Sequence, residues 1–203
     1  FAAGSEPVPT KKRRKLGGAQ EKPPEPAEES SDRYKWEVYV PEAYDGKVPY
    51  GLFVYINAKD NGLLFMFTEW KEAMDKNRLI WVLGLEAGNE VDPLFRHALA
   101  LEGFNQMKKR YLIDDDRIYL AGISGGGRAA SMLSIMFADL FDGCFTYLGA
   151  SPHRKVGIMP GLGSLAKPQM VQLAKQQNRF VFLTTDGDFN REQVKSIFDA
   201  YVQ

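Results

Sequence analysis

Cysteine is nearly absent: Cys144 stands alone among 203 residues, so the chain can form neither an internal disulfide nor a cysteine-based zinc site. Histidine is almost as scarce, with only His97 and His153. No apolar run reaches the ~18 residues that a membrane-crossing helix needs. Neither sign of charge is in excess. Lys plus Arg and Asp plus Glu each number 26, which removes the electrostatic footprint of a nucleic-acid partner. No internal repeat is present.

What is there divides the chain in two. Residues 1–32 are rich in Pro, Glu, Lys, Ser and Gly and hold almost no large apolar residue after Phe1. Such a segment buries too little surface to offset its conformational entropy, so it reads as a disordered tail. Within it, Lys11-Lys12-Arg13-Arg14-Lys15 has the composition of an import signal or of a patch for anionic surfaces. A compensating acidic stretch follows from Glu21 to Asp32, and the blander reading is a solvated charge run. Residues 33–203 form one domain of a size that can bury a proper core.

In that domain, apolar runs of strand length recur at Trp36–Val40, Gly51–Asn57, Leu79–Leu85, Arg117–Ala121, Cys144–Leu148 and Phe180–Thr184. Runs that are apolar on both faces belong to parallel sheets covered on both sides. Helical spacing lies between them. Asp92-Pro93 opens one helix, with Leu94, Ala98, Leu101 and Phe104 on a shared face, and Lys108-Lys109-Arg110 close it. Residues 126–140 give a small, apolar second helix, and Gln193–Tyr201 a last one. Strand and helix in alternation predict a doubly wound, mostly parallel α/β sheet.

The stretch Ile118-Tyr119-Leu120-Ala121-Gly122-Ile123-Ser124-Gly125-Gly126 runs a strand into a glycine-flanked serine and then a helix. This is the pattern of a nucleophile elbow. The serine sits on a sharp turn, and small residues are needed two before and two after it because Cβ atoms there would collide. The same turn aims the Gly125 N–H at a developing oxyanion. A rival reading takes Gly125-Gly126-Gly127-Arg128-Ala129-Ala130 as a dinucleotide-binding G-x-G-x-x-A loop. That loop wants an acid at the end of the next strand, and Tyr147-Leu148-Gly149-Ala150-Ser151 has none.

A late strand delivers Thr184-Thr185-Asp186-Gly187-Asp188-Phe189-Asn190-Arg191 at its carboxyl end, where such sheets place their chemistry. An acid here would orient a histidine. The alternative is an Asx turn, for which Asp-Gly-Asp is well suited.

From about Tyr34 onward the chain resembles the secreted bacterial α/β-hydrolases related to polyhydroxybutyrate depolymerases and carboxylesterases. The phrases that carry the resemblance are Tyr39–Tyr44, Leu79–Val82, Met107–Tyr111, Asp116–Arg128 and Leu183–Arg191. It implies an α/β-hydrolase fold, Ser124 as nucleophile and Asp188, rather than Asp186, as the acid of the triad. It further implies ester hydrolysis through an acyl-enzyme on a small or polymeric ester, with no metal or cofactor. The family's oxyanion loop falls on Asn57–Gly62, where the backbone N–H of Ala58 or Lys59 would join that of Gly125. Export to the periplasm or medium also follows from the family, and the basic tail keeps an intracellular reading open.

The departure concerns histidine. The family places its catalytic histidine past one more strand, whereas this chain stops at Gln203, so the last strand and helix are expected to be missing from it. The alternative is a hydrolase-like binding protein without turnover. His97, inside a helix, is expected to pack or face solvent, while His153 is expected near the rim as a substrate contact or irregular base. Residues 151–175 are expected to form the rim that sets specificity.

Overall fold

The computed structural model of the protein describes residues 34–60, 62, 67–151, 158–159, 163–164 and 166–201, with 67–69, 158–159 and 163–164 described by backbone alone. The charged tail with Lys11–Lys15 and His153 therefore lie outside the described residues.

Eight strands and five helices are formed among the described residues. They are β1 (Trp36–Tyr39), β2 (Tyr50–Ile56), α1 (Phe67–Asn77), β3 (Leu79–Gly84), α2 (Pro93–Arg110), β4 (Ile113–Ile123) and α3 (Gly125–Met136). There follow β5 (Gly143–Tyr147), β6 (Ile158–Met159), β7 (Gly163–Ser164), α4 (Pro168–Gln177), β8 (Arg179–Leu183) and α5 (Arg191–Tyr201). Six strands make one sheet in the order β1-β3-β2-β4-β5-β8, and β6 pairs with β7 apart from it. Only β1 runs antiparallel to its neighbour in the large sheet; the remaining pairs are parallel.

The core explains why the apolar runs became strands. All seven residues of β2 are buried. Successive side chains alternate between faces. Leu52, Val54, Ile56, Ile80, Val82, Ile118, Leu120 and Cys144 pack with residues of α2 and α3, including Leu133. Phe53, Tyr55, Trp81, Leu83 and Ala121 form a second cluster with Met74 of α1. Each fully buried side chain of this size contributes about 1.5–3 kcal/mol. β8 is one of the two edge strands, and its Val181 and Leu183 are 51% and 45% exposed.

Several sequence expectations need correction. β4 is longer than Arg117–Ala121 on both sides, because its carboxyl end is the lead into the elbow. The second helix ends at Met136 instead of 140, in turns capped by the Phe137 N–H bond to Leu133 O. The α2 face was misjudged. Its buried residues are Arg96, His97, Leu99, Ala100, Gly103, Phe104 and Met107, while Leu94 is 46% exposed. α1 and α4 were not anticipated. α4 also removes residues 168–175 from the supposed rim, since Leu173 and Ala174 are buried against Ile135 and Ala138. Asp92 does cap α2 as expected, its Oδ1 accepting from Leu94 N at 2.7 Å and Phe95 N at 3.3 Å.

Candidate active site

Parallel strands put their carboxyl ends along one edge, and there β4 turns into α3 at Ser124. The serine adopts φ 52° and ψ −118°, a left-handed backbone that costs about 1–3 kcal/mol for a non-glycine residue. Its surroundings enforce the contortion. The Ser124 N–H donates to Tyr147 O at 2.7 Å, and Ser124 O accepts from Arg128 N at 3.1 Å. A Cβ at Gly122 would lie 2.7 Å from Ile56 O and closer still to the Gly126 backbone. One at Gly126 would strike Ile56 O, and one at Gly127 would strike Gly149 O. The flanking glycines are thus consumed by backbone approach, as an elbow requires. Gly149 joins them: its Cβ would meet Ser124 O at 2.5 Å, a need the sequence did not signal.

A serine at a helix N-cap ordinarily bonds to the N–H groups of its own helix. Ser124 makes no such bond. The residue instead lines a cavity of about 560 Å³ together with Ala58, Lys59, Asn89 and Asp188 and the aromatic Tyr55 and Trp81. Gly125 heads α3 beside the cavity, with the Asn89 carboxamide against its Cα.

The two candidate acids have separate fates. Asp186 points outward, its side chain 96% exposed, in an ion pair with Arg191 at 3.1 Å. Asp188 lines the cavity. Thr184 Oγ1 donates to one carboxylate oxygen at 2.7 Å and Asn190 N to the other at 2.9 Å. The second bond is an Asx turn, so the turn reading and the site reading describe the same residue. Asn190, buried, donates from Nδ2 to Leu148 O at 3.0 Å and accepts from Arg128 Nη2 at 3.0 Å. The acid loop is therefore anchored to both the turn after β5 and the elbow helix.

The Asn57–Asp60 loop lies across the cavity. Ala58 N donates to Asn57 Oδ1 at 2.8 Å and Lys59 N to the same oxygen at 3.4 Å. The loop is fastened from behind. Arg96 donates from Nη2 to Asn57 O at 2.7 Å and from Nε to Ala87 O at 2.9 Å. Asn89 N donates to Ala58 O at 2.9 Å, and Gly88 N to Asp60 Oδ1 at 2.6 Å. Arg96, Asn89 and Asn190 were all missed from sequence. An arginine on a misjudged helix face gave no signal, and the asparagines belong to loops without a pattern.

His97 is brought to no part of the cavity among the described residues. It is 6% exposed on the inner face of α2. Burial first, and the neighbouring Arg96 charge second, push its imidazole down to about 4, against a weaker pull from Asp92. The folded state thus prefers the neutral ring, and the unfolded chain takes up the proton first as pH falls below 6.5. Stability is full above that pH and declines towards pH 4. From the shift, the loss between pH 7 and pH 4.5 is about 2–3 kcal/mol. Urea midpoints at the two pH values should differ by less in His97→Leu than in the parent; identical differences would refute this origin. Cys144 is no nucleophile: burial pushes its thiol up to about 12. Among the described residues no His, Cys, Asp or Glu cluster is placed to hold a metal ion, and no helix is long and apolar enough to cross a membrane.

No family model matches the sequence, and no curated protein matches it. Solved structures do match. A poly(3-hydroxybutyrate) depolymerase from Bordetella parapertussis superposes with TM-score 0.60 at 14% identity, over 83% of this chain and 71% of that one. The fluorophosphonate-binding serine hydrolase F of Staphylococcus aureus gives 0.58 at 12% identity, over 81% and 78%. A thermostable esterase gives 0.51 at 17%, over 83% of this chain; the match spans 56% of the esterase's own length. The strand order, the strained serine corner and these superpositions agree on one architecture: the chain has the α/β-hydrolase fold.

Proposed function

We propose that the protein is a serine hydrolase of carboxylic esters that works through an acyl-enzyme on Ser124. The observation that carries this reading is the strained Ser124 corner opening on the same cavity as the doubly hydrogen-bonded Asp188 carboxylate. The names of the matched structures, an esterase, a depolymerase and a serine hydrolase, support it. In the proposed reaction a base takes the hydroxyl proton while Oγ bonds to the acyl carbon. The tetrahedral oxyanion is held by the backbone N–H of Gly125 and of Ala58 or Lys59. The C–O bond to the alcohol then breaks as the base returns the proton to it, and water repeats the sequence to release the acid. The reaction calls for a histidine base between Ser124 and Asp188, a place that His97, buried on α2, does not take.

The alternative, a ligand-binding protein without turnover, draws on one observation. The amides of Ala58 and Lys59 already donate to Asn57 Oδ1, which an oxyanion would have to replace. A fluorophosphonate probe applied to the full-length protein separates the two readings. Stoichiometric labelling of Ser124, found by peptide mass, is the expected result. Absence of the adduct where a control esterase labels fully favours the binder.

A further inference from the structure

We propose that Arg96 is a positioning residue that aims and polarises the Ala58 N–H towards the reacting oxygen, a role that rests on the esterase reading above. A peptide unit is planar and trans, so its C=O and N–H point in opposite directions. The carbonyl of Asn57 and the N–H of Ala58 belong to one such unit. Arg96 holds that carbonyl at 2.7 Å, which fixes where the Ala58 N–H points; that N–H donates to Asn57 Oδ1 at 2.8 Å, the oxygen an oxyanion would replace. The next unit is governed in the same way: Asn89 N holds Ala58 O at 2.9 Å, which sets the direction of the Lys59 N–H.

Arg96 ties two loops together, and one of its two bonds falls on the peptide unit that carries the Ala58 N–H. Arg96 is 6% exposed, and desolvation pulls its guanidinium below its usual basicity, with only Asp60 acting in its favour. Removing a cation from water is costly, and its two bonds to backbone carbonyls, which an apolar side chain could not make, offset that cost. What the guanidinium adds is a rigid fork. It joins Asn57 O, on the loop leaving β2, to Ala87 O, on the loop leaving β3. A charge-assisted bond on a carbonyl also strengthens the N–H at the other end of the same peptide, because hydrogen bonds in series polarise one another. The fork thus serves the donor that must be in place before charge develops on the substrate.

The test uses full-length protein, p-nitrophenyl butyrate and three variants: Arg96→Met, Arg96→Lys and Ser124→Ala. Arg96→Met should lower kcat by about 10–100-fold with KM within about twofold, in line with the loss expected from misplacing a catalytic group by about 1 Å. Arg96→Lys keeps the charge but not the fork and should recover part of that loss. In both, the Ala58 amide proton should move upfield in the NMR spectrum, while thermal unfolding stays cooperative. Unchanged kcat in folded Arg96→Met, or equal losses in the Met and Lys variants with an unmoved Ala58 resonance, would overturn the proposal. If Arg96→Met does not fold, the Lys variant and its Ala58 shift decide. Turnover that survives Ser124→Ala would instead sink the esterase reading, and the Ala58 resonance would still report on the fork.

Discussion

Ser124→Ala in the full-length protein is expected to lower ester turnover by about 10⁴-fold or more, the scale on which serine hydrolases lose rate when the nucleophile goes. The residual rate is what binding and the backbone donors supply on their own. The substitution leaves the backbone trapped at φ 52°, because the clasp around it is made by Tyr147 O and by the glycines, not by the hydroxyl. Ser124→Gly should be equally inactive and yet more stable than Ser124→Ala by about 1 kcal/mol, since glycine accepts positive φ without strain. Kinetics on a p-nitrophenyl ester and urea midpoints of the three proteins check both halves. Equal stability of the Ala and Gly forms would mean that the corner is not strained.

The second large effect concerns folding. Gly126→Ala directs a methyl group at the carbonyl oxygen of Ile56 on the central strand, and neither partner is the tip of a flexible side chain. Both are backbone inside a sheet–helix junction, so relief requires α3 to move off β2. A loss of about 3 kcal/mol or more is expected, at the upper end of what overpacking costs. Activity should fall with it, as α3 carries the Gly125 N–H. Gly187→Ala is the matched control: nothing lies within 4 Å of its added Cβ, and its stability should stay within about 0.5 kcal/mol of the parent. Comparable losses at the two glycines would show that crowding at the elbow is not the cause.

The most legible parts of the sequence were those fixed by short-range pattern. Ser124 was identifiable because a sterically demanding turn leaves glycines at set distances, and β2 because a strand buried on both faces is apolar throughout. Asp188 stood out from Asp186 only through the resemblance. The structural difference between them is a pair of bonds, from Thr184 and Asn190, that no spacing encodes. Arg96 was illegible for another reason. A helix face is inferred from apolar residues, and counting from Leu94 rotated the face, so Arg96 was not among the residues it picked out. α4 was hidden by the weak periodicity of Pro168–Gln177, where Leu173 and Ala174 alone are buried. Short strands such as β1, stopped by Pro41, were clear in position, but the antiparallel pairing of β1 with β3 is a property of the assembled sheet.

The lacing of the strand tips has a consequence for how the molecule matures. Tyr147 O must be in place to receive the Ser124 N–H, Leu183 O to receive the Leu148 N–H, and Leu148 O to receive Asn190. Each of those partners is joined to the serine through a parallel crossover, the slowest kind of pairing for a chain to complete. On the proposed reading, a probe that captures the serine therefore counts only molecules whose β4, β5 and β8 ends are already paired.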